Sequence, residues 1–334
     1  MDGPSIDARF GEAPPERTAS SSSTAIATSN FVPLVAEPSP CEGCGTASSL
    51  GFRFSYAYQP IVDVRRREIY AHEALVRGPD GEPAHTILSQ VNDANRYRFD
   101  QACRVKAIKV ASELGMTERL SINFLPNAIY KPELCIRTTL EAARAHDFAI
   151  ERIVFEATEG DAIEDGKRLA AILTEYKRTG FLTAIDDFGA GYAGLNLLAD
   201  FQPDIIKLDM ALVRGVDASR SRRAITRGVL RICAELAITV VAEGVETAAE
   251  RDFFFDEGVS LMQGYLFGRP SFERLGTVAC EAWPLRSSRL SAEADSDHTG
   301  NEAESTRLGC ADVPVCVADA FQGNVKGPEW KYVD

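Results

Sequence analysis

The chain is short of positive charge. Its 36 lysines and arginines face 49 acids, leaving a formal net charge of −13. Gripping duplex DNA or RNA without regard to sequence needs a basic face, so no nucleic acid duplex is expected as a partner. A local basic pocket for a small phosphate ligand is still compatible with this charge. Long apolar runs are missing too. No stretch approaches the ~20 residues that span a bilayer, and no membrane contact is expected. Met1-Asp2-Gly3-Pro4 lacks a basic segment followed by an apolar one, so no signal peptide is expected either. The eight cysteines are scattered through a chain too long to need a disulfide scaffold, which points to a reducing, cytoplasmic setting. The histidines, His72, His85, His146 and His298, are equally dispersed.

Residues 1–50 are rich in Pro, Ser, Thr and Ala and include the run Ser20-Ser21-Ser22-Ser23. They read as a disordered arm, too short and polar for a second domain. Residues 285–334 read as a disordered acidic tail. Between them, 51–284 alternates strand and helix. Strands are expected near 55–62, 69–76, 120–124, 152–156, 182–187, 204–208, 238–243 and 260–264. Helices are expected near 98–114, 137–147, 164–179, 192–199, 220–236 and 247–257. In 164–179, Leu169, Ile172, Leu173 and Tyr176 share one face; in 220–236, Ile225, Val229, Ile232 and Leu236 do. This alternation predicts an α/β fold, a (β/α)8 TIM-like barrel. Only Arg65-Arg66-Arg67 separates the first two strands, so they are expected to form a hairpin, with one barrel strand antiparallel.

The apolar runs share one feature: each holds or ends in an acid, an amide or a lysine. Glu73, Asn123, Glu156, Asp186 with Asp187, Lys207 and Glu243 occupy these places in order. A charge at the end of a buried strand costs several kcal/mol unless it is paired or binds metal. A single acid could be paired with a rim arginine. The ordered series instead describes a carboxylate-rich site at one mouth of a parallel barrel. All the acids and the amide are hard oxygen donors, which favour Mg²⁺ or Mn²⁺ over zinc. Adjacent Asp186 and Asp187 could bridge two ions about 3.5–4 Å apart, the usual clamp for displacement at phosphorus. Lys207 could orient the attacking water, and Glu243 could bind the second ion or accept a proton.

These residues carry a family resemblance. Glu73-Ala74-Leu75 matches the name-giving triplet of the EAL domain, the cyclic di-GMP phosphodiesterase family. The chain resembles that family from Tyr58-Gln59-Pro60-Ile61 through Glu73-Ala74-Leu75-Val76-Arg77, Ile122-Asn123-Phe124 and Phe155-Glu156-Ala157-Thr158-Glu159. The likeness continues through Ile185-Asp186-Asp187-Phe188-Gly189, Ile206-Lys207-Leu208-Asp209, Ala242-Glu243-Gly244-Val245-Glu246 and Gln263-Gly264-Tyr265, covering about 54–275. The resemblance implies two divalent ions and hydrolysis of cyclic di-GMP to linear pGpG. It implies that Glu73, Asn123, Glu156 and Asp186 hold one ion, that Asp186 bridges, and that Asp187 serves the second. Lys207 and Glu243 would act on the water and the second ion, and Gln59 and Arg77 would contact substrate. The loop after Asp187 would couple the site to a homodimer, anchored by Glu159. Two hydroxyl residues common in that loop are Ala190 and Ala193 here, and Gly78 stands where tryptophan is usual. The alternative within the resemblance is a catalytically silent barrel that binds cyclic di-GMP or a protein partner as a regulator.

Other matches are weaker. Gly189-Ala190-Gly191-Tyr192-Ala193-Gly194 fits a dinucleotide-binding fingerprint, but that motif normally follows the first strand. Asp187-Phe188-Gly189 mimics a kinase triplet without the other kinase motifs. Cys41 and Cys44 have metal-ligand spacing, which Cys310 and Cys316 could complete, but the two pairs are irregularly placed. Cys103, Cys233 and Cys280 are expected to pack as small apolar residues. His72 should point away from Glu73, on the opposite face of its strand.

Overall fold

A computed structural model describes residues 50–158, 166–191 and 194–284. The expected arm and tail, Cys41, Cys44, Cys310, Cys316, Glu159 and Ala193 lie outside the described residues. Eight strands close a barrel: β1 (Ser55–Asp63), β2 (Glu68–Arg77), β3 (Arg119–Asn123), β4 (Ile153–Thr158), β5 (Leu182–Phe188), β6 (Ile205–Leu208), β7 (Thr239–Ala242) and β8 (Leu261–Gln263). The strands from β2 to β8 pair in parallel, and β1 closes the ring antiparallel to both β2 and β8. The hairpin forms as expected. Asp63 Oδ1 accepts the amides of Arg65 and Arg66 at 2.9 and 3.1 Å, and Arg67 turns the chain at φ 60°. A short strand β9 (Ser271–Phe272), which no sequence pattern announces, adds to the free length of β1.

Side chains alternate along each strand, and the two faces meet different surroundings. Outward residues such as Tyr58, Ile122, Phe155, Ile185, Ile206 and Met262 join the main core beneath the helices. Inward residues Ile61, Ala71, Val154, Ala184, Ile205, Val241 and Leu261 form a second, separate cluster inside the barrel. The lumen therefore has an apolar floor. Glu73, Glu156, Asp186, Lys207, Glu243 and Gln263 each stand two positions beyond a floor residue, so the same period carries them inward, one layer higher.

The helices are α1 (Ala84–Leu88), α2 (Arg96–Glu113), α3 (Pro132–Ala145), α4 (Gly166–Thr179), α5 (Gly194–Asp200), α6 (Met210–Val213), α7 (Arg220–Glu235) and α8 (Ala248–Asp256). In α4, Leu169, Ile172, Leu173 and Tyr176 are buried, as the spacing predicts. In α7 the outcome differs. Ile225 is 54% exposed, Ile232 37% and Leu236 39%, while Thr226 and Cys233 are buried. Two apolar lines share Val229 on this helix, and the line through Thr226, Leu230 and Cys233 meets the barrel. Cys103 and Cys233 pack inside as expected, but Cys280 is exposed at the start of a short 3₁₀ turn.

One glycine is fixed by crowding. Gly264 follows β8 at φ 156°, and a Cβ there would lie 2.1 Å from the carbonyl oxygen of Val245. At Gly228, within α7, the same atom would meet nothing within 4 Å. Gly264→Ala should lower Tm by several degrees, while Gly228→Ala should stabilise by about 0.5–1 kcal/mol through helix propensity. Thermal melts of the two variants, each against wild type, check both signs.

Candidate active site

Lys207, near the end of β6, is buried, 1% exposed. It is surrounded by acids. Nζ lies 2.7 Å from Glu243, 2.9 Å from Glu156, 3.1 Å from Asp186 and 3.3 Å from Glu73. These arrive from β2, β4, β5 and the end of β7, all at the C-terminal mouth of the parallel strands. Amides complete the ring. Asn123 Nδ2 donates to Glu73 Oε1 at 2.8 Å, and Gln263 Nε2 donates to Glu73 Oε2 at 2.8 Å. Gln263 also reaches Gln59 Oε1 at 3.2 Å, and Gln59 is held by the carbonyl of Gly268 at 3.0 Å. Ser121 donates to Glu156 from below.

Asp187 enters by a different route. A regular strand would send it to the face opposite Asp186. The β5–β6 pairing instead slips between Ile185 and Phe188, and Asp187 adopts φ 53°, in the left-handed region. Carboxylate oxygens of Asp186, Asp187 and Glu243 consequently lie within 4.8 Å of one another, as do those of Glu73, Glu156 and Asp186. Asp186 belongs to both groups.

One ammonium does not balance this charge. Two like charges 4 Å apart repel by about 4 kcal/mol at an effective dielectric constant near 20, which favours the protonated form of Glu156, Glu243 and Asp187. Burial pushes the Glu156 carboxyl up to about 8; Lys207 opposes the rise, while Glu73 and Asp186 add to it. Glu243 is pushed well above the usual carboxylate range, chiefly by burial and against Lys207. Burial, then the charges of Asp186 and Asp209, push Asp187 up to about 6. Burial pulls Lys207 down, but Asp186, Glu156, Glu243 and Glu73 together hold it well above an ordinary lysine.

Two cavities lie near the site, and Glu73 lines the first. One of about 170 Å³ is bordered by Gln59, Glu243, Gln263, Gly264 and Tyr265. The other, about 280 Å³ and mostly apolar, is bordered by Leu75, Arg77, Leu88, Phe99 and Asn123. Arg77 lines the second cavity, together with Tyr56, Ala74, Ile122 and Phe124, which belong to the core beneath the helices. His72 points away from the site as expected, buried with Nδ1 4.0 Å from Glu118, and burial lowers its pKa. Sequence reasoning named Gln263 and Asp209 only as parts of motifs and did not assign Ser121. Gln263 ends β8 as the acids end their strands, and Ser121 stands two positions before Asn123, so both follow rules already in use.

A closed barrel with a carboxylate-ringed lysine at its mouth excludes the doubly wound dinucleotide reading. The EAL domain family matches residues 47–270, and the chain belongs to that family. It is 32% identical to the blue light- and temperature-regulated antirepressor BluF of Escherichia coli, over 73% of this chain and 59% of BluF. It is 29% identical to the cyclic di-GMP phosphodiesterase PdeR of the same species, over 69% of this chain but only 35% of PdeR. The fold resembles a standalone EAL protein of Vibrio cholerae in its c-di-GMP-bound form, with a TM-score of 0.68 and 54% identity over 70% of this chain and 99% of that one. It also resembles Klebsiella pneumoniae BlrP1 in a manganese and cyclic di-GMP complex, with a TM-score of 0.65 and 35% identity over 70% of this chain and 59% of that one. Among the described residues no helix is long and apolar enough to cross a membrane.

The excess of acid has a consequence for stability. Glu156, at about 8 in the fold, keeps a proton that the unfolded chain releases near 4.5, so metal-free stability falls as pH rises between those values. Removing the opposing ammonium steepens that fall. Metal-free Lys207→Met should be close to wild type at pH 5 and clearly less stable at pH 8. Denaturant melts at the two values measure it, and an equal loss at both would contradict the assigned protonation.

Proposed function

We propose that the chain hydrolyses cyclic di-GMP to linear pGpG with two Mg²⁺ or Mn²⁺ ions. The observation that carries this reading is the pair of hard-oxygen groups sharing Asp186 around a buried lysine. The donors fit such ions: carboxylates and an amide, with no cysteine or histidine in either group, and more negative charge than Lys207 balances. Glu73, Asn123, Glu156 and Asp186 would hold one ion, and Asp186, Asp187 and Glu243 the other. Bound there, the ions would neutralise charge on the phosphodiester and on the attacking and leaving oxygens.

The protein's own groups do the rest. Lys207, fixed by four acids, orients the attacking water. Glu243 accepts its proton or serves the second ion. Arg77 offers a fork for a phosphate oxygen, and Gln59 contacts the nucleotide. The cavity that Gln59, Glu73, Glu243 and Gln263 border leaves room for part of a cyclic dinucleotide beside the acids.

A second reading draws on the likeness to the antirepressor BluF: a barrel that binds cyclic di-GMP or a protein partner without turnover. Incubation with cyclic di-GMP and Mg²⁺, followed by chromatography, separates the two. Conversion to pGpG, inhibited by Ca²⁺ with its looser shell, supports the enzyme. Tight binding without product supports the regulator. Glu73→Ala should abolish turnover with Tm little changed; near-normal activity would show that Glu73 holds no ion.

Protons compete with cations for the same oxygens. Asp187 loses its proton at about 6, so Mn²⁺ affinity should rise between pH 5 and 8. Calorimetric titrations across that range would show it, and a flat profile would show that protons and Mn²⁺ do not compete for these oxygens.

We also infer a homodimer through the segment after Asp187. Leu195, at the start of α5, is 58% exposed, and α7 leaves Ile225 at the surface. Glu159 would anchor the loop. Asn196→Arg should weaken association and activity together, measured by light scattering and turnover on one sample. A fully active monomer at every concentration would uncouple them.

A further inference from the structure

Arg104, on α2, is fully buried, 0% exposed, in the layer between helices and barrel. It takes no part in the ring around Lys207. Nη1 donates to the hydroxyl of Tyr176 on α4 at 2.8 Å, and Nη2 pairs with Asp100 at 2.8 Å. Its guanidinium also lies over three aromatic rings: Phe155 at 4.9 Å, Tyr176 at 5.4 Å and Phe124 at 5.5 Å. Two of these rings have informative neighbours. Phe124 follows Asn123 and Phe155 precedes Glu156, so each ring is the outward counterpart of an inward site residue. The backbones are tied as well. Asp100 Oδ1 accepts the amide of Leu125 at 2.9 Å, and Phe124 donates its amide to the carbonyl of Glu156 at 3.1 Å.

Packing alone does not call for a cation here. A buried ion pair is often matched or bettered by apolar side chains of similar volume, and among the described residues Arg104 Nε finds no acceptor and Nη2 meets Asp100 as an ion pair without hydrogen-bond geometry. What a guanidinium supplies and a methionine does not is direction. Its fork and its flat face together fix the angle between α2, α4 and the two strand ends.

We propose that Arg104 is a positioning residue: held by Asp100 and Tyr176, it grips Phe124 and Phe155 from outside the barrel and so fixes Asn123 and Glu156 inside it. This rests on the reading of the site as a two-ion phosphodiesterase. The role resembles that of groups behind metal ligands in general, whose loss weakens metal binding roughly 10–100-fold.

The test uses the full chain with Arg104→Met, Arg104→Lys and Tyr176→Phe, measuring kcat, KM and Mn²⁺ affinity by calorimetry. Arg104→Met should lower kcat roughly tenfold or more, as small misplacements do, with KM within about twofold. Mn²⁺ binding should weaken about tenfold. Arg104→Lys should recover part of both, because it keeps the charge but loses the fork. If Arg104→Met does not fold, Tyr176→Phe decides, since it removes one hydroxyl and keeps the ring. A folded variant with wild-type kcat and Mn²⁺ affinity, whatever its Tm, would overturn the inference and leave Arg104 a packing residue. If wild type binds Mn²⁺ without turnover, the affinities decide alone. If wild type does neither, the proposed function fails, and the inference with it.

Discussion

The structure depends on one buried ammonium group facing four carboxylates. Lys207 sits 2.7–3.3 Å from Glu243, Glu156, Asp186 and Glu73, above a floor made of Ala71, Val154, Ala184, Ile205 and Val241. The floor keeps the dielectric low, which strengthens each attraction to Lys207 and each repulsion between acids. Excess negative charge in such a place must be relieved by protons or by cations. The raised affinity of Glu156, Glu243 and Asp187 for protons and the fitness of the site for hard cations are therefore two aspects of one imbalance.

That imbalance also explains the order of the supporting shells. Asn123 and Gln263 spend amide donors on Glu73, and Ser121 spends its hydroxyl on Glu156. These bonds fix which oxygen of each acid faces Lys207. Behind them, Arg104 meets the outward rings next to Asn123 and Glu156. An acid free to rotate would relieve repulsion by turning away. The surroundings deny it that motion on both faces of the strand.

Much of this was legible in the sequence. The ordered acids and lysine in the apolar runs point Glu73, Glu156, Lys207 and Glu243 to one mouth of the barrel, and the short Arg65–Arg67 link announces the hairpin. The sequence sets Asp187 beside Asp186, but strand periodicity alone puts it on the opposite face. Only the slipped β5–β6 register and its left-handed φ turn it inward, and neither leaves a trace in the residue pattern. The outer face of α7 was illegible for a different reason. Its apolar residues form two lines that share Val229, and only the barrel decides which line is covered. Short elements such as α1, α6 and β9 span too few residues for any period to emerge.

The antiparallel strand shows how far the pattern extends. In β2, β6 and β7 the floor residue comes first and the site residue second: Ala71 then Glu73, Ile205 then Lys207, Val241 then Glu243. Val154 with Glu156, Ala184 with Asp186, and Leu261 with Gln263 follow the same order. In β1 it reverses, with Gln59 before Ile61. The register shows why: Gln59 pairs with Glu73 and Ile61 with Ala71, so both layers continue across the hairpin while the chain runs the other way. Direction and depth are thus encoded together. A strand whose polar residue precedes its apolar partner by two positions must descend into a barrel that the others climb, if its polar side chain is to reach the same mouth. A single inverted pair, Gln59 and Ile61, therefore indicates the sense of β1 independently of the length of the Arg65–Arg67 turn.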